Sequence, residues 1–241
     1  MTILTHQLDG ILTITLNRPP MNPIHYELHN ELARLWYQVQ LDTECDVVIL
    51  TGAGEVFSAG GDIPMMQRRI DDPELFNRKN LEMKQMIFGL LDLEKPIIAR
   101  INGDCIGLGA TLALMCDIMI AVDTARFGDP HVRMGYVAGD GGAVIWPQLI
   151  GYARAKEYLL TGDMLDAKEA ERRYRDRPSF DQRVSPGEHR AGARARVAVG
   201  SEGGTICRRR GSERIAGASA ARGLRVTEGR LTRKADAVMY K

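Results

Sequence analysis

DVVILTGAGEVFSAGGDI (residues 46–63) and PIIARINGDCIGLGATLALMCDIMIAV (residues 96–122) share one layout. In each, a short run rich in Val and Ile gives way to a glycine turn. After the second turn the chain enters a longer apolar segment that reads as a helix followed by another strand. Short apolar runs closed by turn residues are buried-strand signals. Glycine in the turn lets a ligand come close to backbone N–H groups. A helix start adds unpaired N–H donors and the positive end of the helix dipole. Two such turns facing one another would present two N–H donors to a single oxygen, the geometry that stabilises an enolate or a tetrahedral oxyanion. Either turn taken alone is equally open to a plainer reading, in which its glycines only permit tight packing.

Outward from these two stretches, strand and helix signals alternate. Residues 11–16 (ILTITL) form a β-rich run ending at Asn17-Arg18-Pro19-Pro20, and Leu28, Leu32, Leu35 and Val39 recur at helical spacing between about Ile24 and Gln40. Residues 72–93, 141–150 and 153–160 are further helix candidates. The alternation predicts an α/β fold with function in the strand-to-helix turns. It fits a doubly wound sheet and a spiral of β-β-α units equally well. Gly107-x-Gly109 follows a strand and opens a helix, as in a dinucleotide fingerprint, but the third position is Leu112, and neither Asp123 nor Asp129 is a distinctive ribose partner.

The 241 residues carry a net charge of +1, which conceals a split. Residues 1–171 hold 14 Lys and Arg against 24 Asp and Glu, and residues 172–241 hold 18 against 7. Residues 1–171, which hold the glycine turns and the strand and helix signals, therefore read as the core and 172–241 as an Arg/Gly/Ala-rich tail, which buries too little apolar area to offset the entropy of ordering it. Arg208-Arg209-Arg210 would attract phosphate, the basis of an alternative reading as an RNA-binding protein. Few aromatics are available there to stack bases, with Tyr174, Phe180 and Tyr240 the ones after residue 171, so a nucleic-acid partner is not expected. The change of texture at Glu171-Arg172 is what a GC-rich gene gives when read out of frame, and translating the neighbouring frames tests that account. Cys45, Cys105, Cys116 and Cys207 lack metal or disulfide spacing, so reduced thiols are expected. Without a signal peptide or a long apolar span, the chain reads as soluble and cytoplasmic.

Taken together, FSAGGDI, KPIIARINGDCIGLGATLALMCDIMIAVDTARFGDPHVRMG, GDGGAVIWPQLIG and AKEYLLTGDMLDAKEA resemble the crotonase (enoyl-CoA hydratase/isomerase) family over residues 8–171. That resemblance implies a β-β-α spiral, a homotrimer or hexamer, and an acyl-CoA substrate with no separate cofactor. It places the oxyanion hole on the backbone N–H groups of Gly61 and Leu108. It gives CoA and substrate contacts to Ser58, Ala59, Gly60, Asp62, Ile63 and Gly107.

The likeness breaks at the acid–base pair. Where hydratases of the family place two glutamates, this sequence has Thr111 and His131. It offers instead Asp129-Pro130-His131 and Asp140. Histidine suits general-base work because its ordinary pKa of about 6.5 lies near working pH, and a carboxylate on the far ring nitrogen would fix its tautomer. His131 with Asp140 is the expected catalytic pair, against a plainer reading of Asp140 as a helix N-cap. The pair resembles the β-diketone hydrolases such as 6-oxocamphor hydrolase, which implies retro-Claisen C–C hydrolysis as an alternative to hydration. Leu108 stands where that branch has a further histidine. His25 and His29 lie one helical turn apart, lack a third ligand, and are expected on a solvated face, so no metal is expected. Met65, Met66, Met83 and Met86 fall in the region that covers the acyl pocket in the family, or belong to the core. Asp104 and Asp117 receive no role.

Overall fold

The computed structural model describes residues 2–175, 198–199 and 237–240. β1 (Ile3–Leu8) and β2 (Ile11–Leu16) form an antiparallel hairpin. Its turn is Asp9-Gly10, both at positive φ (49° and 78°), the combination whose twist suits a two-residue hairpin. β2 then runs parallel to β3 (Val47–Gly52), β3 to β4 (Ile97–Ile101), and β4 to β6 (Ile118–Val122). β10 (Ala237–Tyr240) pairs antiparallel with β6, and β9 (Ala198–Val199) with β10. A second sheet joins β5 (Cys105–Ile106), β7 (Arg126–Gly128) and β8 (Met164–Asp166).

The order of elements decides between the two α/β architectures. β4 of the large sheet is followed by β5 of the small sheet and then by α4 (Leu108–Leu114). β6 is followed in the same way by β7, a 3-10 turn (Pro130–Met134) and α5 (Gly142–Ile150). This repeat is a β-β-α spiral rather than a doubly wound sheet. The large sheet buries Ile14, Leu16, Val48, Leu50, Ile97, Ala99 and Ile101. Over it lie Leu28, Leu32, Trp36 and Val39 of α1 (Tyr26–Leu41). Each large side chain so buried contributes about 1.5–3 kcal/mol. Gly89 lets α3 (Pro73–Leu91) close on α1, because a Cβ there would lie 3.2 Å from Trp36 Cδ1.

Several expectations change. The helical stretch expected over 72–93 is α3, started by Asp72, whose carboxylate accepts from Leu75 N, with Pro73 at the first turn. A separate helix, α2 (Ile63–Asp71), precedes it and is capped the same way by Asp62. β1 was not anticipated: it buries one residue of six and shows no alternation. Met65 and Met86 are core residues and Met83 packs against the core, whereas Met66 lies over Gly61. Asp117 accepts from Ile97 N and secures the start of β4, while Asp104 pairs with Arg126. Cys45, Cys105 and Cys116 are free and buried. Residues 172–175 extend α7 (Ala167–Arg175), with Tyr174 in that helix and Tyr240 in β10. Phe180, Cys207 and Arg208–Arg210 lie outside the described residues. No helix among the described residues is long and apolar enough to cross a membrane.

The face carrying His25 and His29 is not solvated. His29 is fully buried, and neither ring nitrogen has a hydrogen-bond partner among the described residues. Burial, with Arg69, His25 and Lys79 nearby, lowers its pKa to about 4. The fold therefore holds His29 neutral. Its contribution is present in full above about pH 6.5 and is lost as pH falls through about 4, amounting to about 3 kcal/mol. Urea unfolding of the wild type should lose this increment between those pH values relative to His29→Leu, whereas parallel stability curves would contradict the assignment.

Candidate active site

Because β3 and β4 are parallel neighbours, both deliver their following turns to the same edge of the sheet. Two asparagines shape the loop between β3 and the first turn. Asn22 donates to Ala53 O and Val56 O, and Asn102 donates to Gly54 O and accepts from Gly52 N. Ile106 N donates to Ser58 O at 2.9 Å, tying one turn to the other. Gly60, at φ +87°, has no room for a side chain, since a Cβ would lie 2.7 Å from Ile106 O. Gly109 is equally constrained, with a Cβ placed 2.6 Å from Ser58 Cβ. The glycines thus permit tight packing and also bring the two turns into direct contact.

Of the residues expected to bind ligand, Gly61 and Leu108 carry backbone N–H groups that donate to nothing among the described residues. Their neighbours are satisfied: Gly60 N donates to Ser58 Oγ, Asp62 N to Ile24 O, and Gly107 N to Gly128 O. Ile63 is exposed and Ala59 half-buried. Ser58, expected as a ligand contact, is engaged within the protein. It is fully buried, its hydroxyl is spent on Asn22 O and Gly60 N, and its backbone is bonded to Asp104 and Ile106. Asp62 spends its carboxylate on the α2 cap and on Arg18 at 3.0 Å.

His131 stands beside the second turn, with its Cε1 3.6 Å from where a Cβ of Gly107 would be. Asp140 Oδ2 faces His131 Nε2 at 3.6 Å, an ion-pair distance rather than a hydrogen bond. The hydrogen-bonded carboxylate is that of Asp129, on Nδ1, so the orienting partner is not the one expected from the sequence. The two oxygens of Asp140 have different surroundings. Oδ1 accepts from Gly142 N and Thr111 Oγ1, each at 3.2 Å, at the start of α5. Oδ2 is buried without a hydrogen-bond partner among the described residues.

Burial lowers the His131 pKa, but the hydrogen bond to Asp129 and the charges of Asp140 and Asp129 outweigh it and raise the net value. Burial raises that of Asp140, against His131 and the Gly142 and Thr111 donors, which lower it. Each group thus favours its protonated form more than usual. Asp129, His131 and Asp140 also have potential metal-ligand atoms within 4.8 Å of one another. With Nδ1 bonded to Asp129, His131 would have to offer Nε2, beside the Oδ2 atoms of Asp129 and Asp140, which have no hydrogen-bond partner among the described residues. Thr111 and Asp129 are the members of this centre that sequence reasoning left without a role. An apolar groove lined by Met119, Phe127, Trp146 and Leu165 contains none of these groups.

The sequence matches the enoyl-CoA hydratase/isomerase family over residues 6–173. It is 37% identical over 173 residues to 1,2-epoxyphenylacetyl-CoA isomerase of Escherichia coli, covering 70% of this chain and 65% of that protein. To crotonyl-CoA hydratase of Syntrophomonas wolfei it is 35% identical, covering 70% and 65%. An enoyl-CoA hydratase/isomerase structure from Mycobacterium paratuberculosis superposes with a TM-score of 0.69 at 36% identity, over 72% of this chain and 70% of that one. The chain therefore spans about 65% of the length of the relatives it matches.

The contact between the turns predicts the effect of a single methyl group. Gly109→Ala should cost about 1–3 kcal/mol in urea unfolding through overpacking against Ser58. Gly139→Ala, whose Cβ would meet nothing closer than 3.6 Å, should leave stability within about 0.5 kcal/mol. Equal effects would contradict the contact.

Proposed function

The chain belongs to the enoyl-CoA hydratase/isomerase (crotonase) family, and from that premise we propose that it processes acyl-CoA thioesters through an enolate held between its two glycine turns. The observation that carries this reading is the pair of unengaged N–H groups on Gly61 and Leu108, on turns locked together by their glycines. A thioester oxygen accepting from both would gain stabilisation as negative charge develops on it, the effect that makes preorganised donors effective in catalysis. Gly61, Leu108 and the adjoining Gly60, Gly107, Ala59 and Ile63 form the substrate-facing surface in this account.

His131 and Asp140 supply the proton chemistry. The raised pKa of each supports a pair that keeps one proton between them. In hydration, the oxygen of a water molecule bonds to the β-carbon as its proton passes to His131 Nε2. The C=C electrons move into the enolate, and the enolate takes a proton from Asp140 at the α-carbon. Closing of the 3.6 Å separation to hydrogen-bond distance lets the proton pass from His131 to Asp140 and restores the pair. A second reading has a specific observation in its favour, the replacement of the expected two carboxylates by a His/Asp couple. In it, the same activated water attacks a carbonyl carbon of a β-diketone, the C–C bond breaks, and the departing carbon leaves as an enolate that takes a proton from the pair. Assembly as a homotrimer or hexamer belongs to the same proposal.

Purified protein should hydrate crotonyl-CoA, followed as loss of the enoyl absorbance, and His131→Ala should lower kcat by about 100-fold or more. Full activity in that variant would remove His131 as the base. Turnover of a cyclic β-diketone with none of crotonyl-CoA would overturn the thioester reading in favour of the second one.

A further inference from the structure

Asp129 is fully buried immediately after β7. A buried carboxylate is costly unless its oxygens are satisfied. One oxygen, Oδ1, contacts His131 Nδ1 and lies 3.4 Å from His131 N. The other, Oδ2, has no hydrogen-bond partner among the described residues. It presses instead on the backbone of α5, where a Cβ on Gly142 would collide with it. Two elements distant in sequence, the end of β7 and the start of α5, thus fit together around one carboxylate. Gly142 is not at positive φ, so backbone conformation does not demand glycine there. Space for the carboxylate does.

The consequence for His131 follows from the chemistry of imidazole. A neutral ring carries one proton, and the hydrogen bond made by one nitrogen decides which of the two holds it. A carboxylate on Nδ1 keeps the proton there and leaves the Nε2 lone pair free. Nε2 is the atom that faces Asp140, at 3.6 Å. Without Asp129, nothing among the described residues contacts Nδ1, so the ring would be free to put its proton on Nε2 and block it.

We propose that Asp129 is a positioning residue of this centre: it holds the Nδ1–H of His131, keeps Nε2 free to take a proton beside Asp140, and requires glycine at position 142. The proposal rests on the reading of His131 as the base, and its test separates the two. In the full chain labelled with 15N-histidine, the His131 ring, assigned by its loss in His131→Gln, should show the Nδ1–H tautomer at a pH where it is neutral. Asp129→Ala should shift it towards Nε2–H, and kcat with crotonyl-CoA should fall about tenfold or more with KM within about twofold, as for removal of an orienting partner. Gly142→Ala, which removes no titratable group, should move the tautomer in the same direction by displacing the carboxylate, and it stands as the test if Asp129→Ala fails to fold. An unchanged tautomer in the folded variants, or a shifted tautomer with kcat unchanged, would overturn the proposal. A wild type inert towards crotonyl-CoA and β-diketones would sink the functional reading, while the tautomer measurement would still decide the role of Asp129.

Discussion

The contact on which the site depends is that of two backbone turns with no side chain between them. Gly60 lies against Ile106 and Gly107, and Gly109 lies against Ser58. Neither approach tolerates a Cβ. Parallel pairing of β3 with β4 brings the turns to one edge, but only the glycines let them touch. On or beside that contact lie the unengaged N–H groups of Gly61 and Leu108, the buried hydroxyl of Ser58 that steadies the first turn, and the His131 ring next to the second. The rigidity is useful because an oxyanion donor is effective when it is already aimed and need not reorganise as charge develops.

Around that fixed frame the centre is electrostatically crowded. His131 has a carboxylate toward each ring nitrogen, and both carboxylates are buried. Burial alone would make the imidazole a weaker base, yet the two carboxylates reverse this. One of them also has its own affinity for a proton increased by burial. Such a trio can store a proton without committing it to one atom, which suits a reaction that must remove a proton from water and return one to carbon. Thr111 and the Gly142 N–H occupy Oδ1 of Asp140 and leave Oδ2 toward the histidine. That division of labour between the two oxygens fixes the direction of the pair.

Much of this was legible in the residues. The strands at 11–16, 46–51 and 97–101 and the helix from Tyr26 announce themselves by apolar runs or spacing, because their buried faces are regular. β1 was hidden because it lies at the sheet edge and exposes five of its six residues. α2 was hidden because it begins inside the glycine turn itself, where its cap Asp62 reads as part of a binding motif. His29 stands one turn from His25 in a polar stretch, and its burial comes from the tertiary packing around α1. At the site, the types Asp, His and Asp in DPH and GDGG were visible, but their pairing was not. Sequence order makes Asp140 look like the orienting group, whereas the two-residue spacing of Asp129 and His131 across a 3-10 turn bends the nearer carboxylate onto Nδ1. The fourth residue of GDGG illustrates the same limit, since its need for glycine comes from a side chain thirteen positions earlier.

The central claim, that Gly61 and Leu108 jointly hold a thioester oxygen, is tested most directly by the carbonyl itself. Isotope-edited infrared difference spectra of an enoyl-CoA carrying 13C at the thioester carbonyl, bound to the full chain, report how strongly that oxygen is hydrogen-bonded. Two donors aimed at it should move the carbonyl band to lower wavenumber than in buffer. A band that stays at its solution position with the protein saturated, or a chain that fails to bind the thioester, would contradict the account.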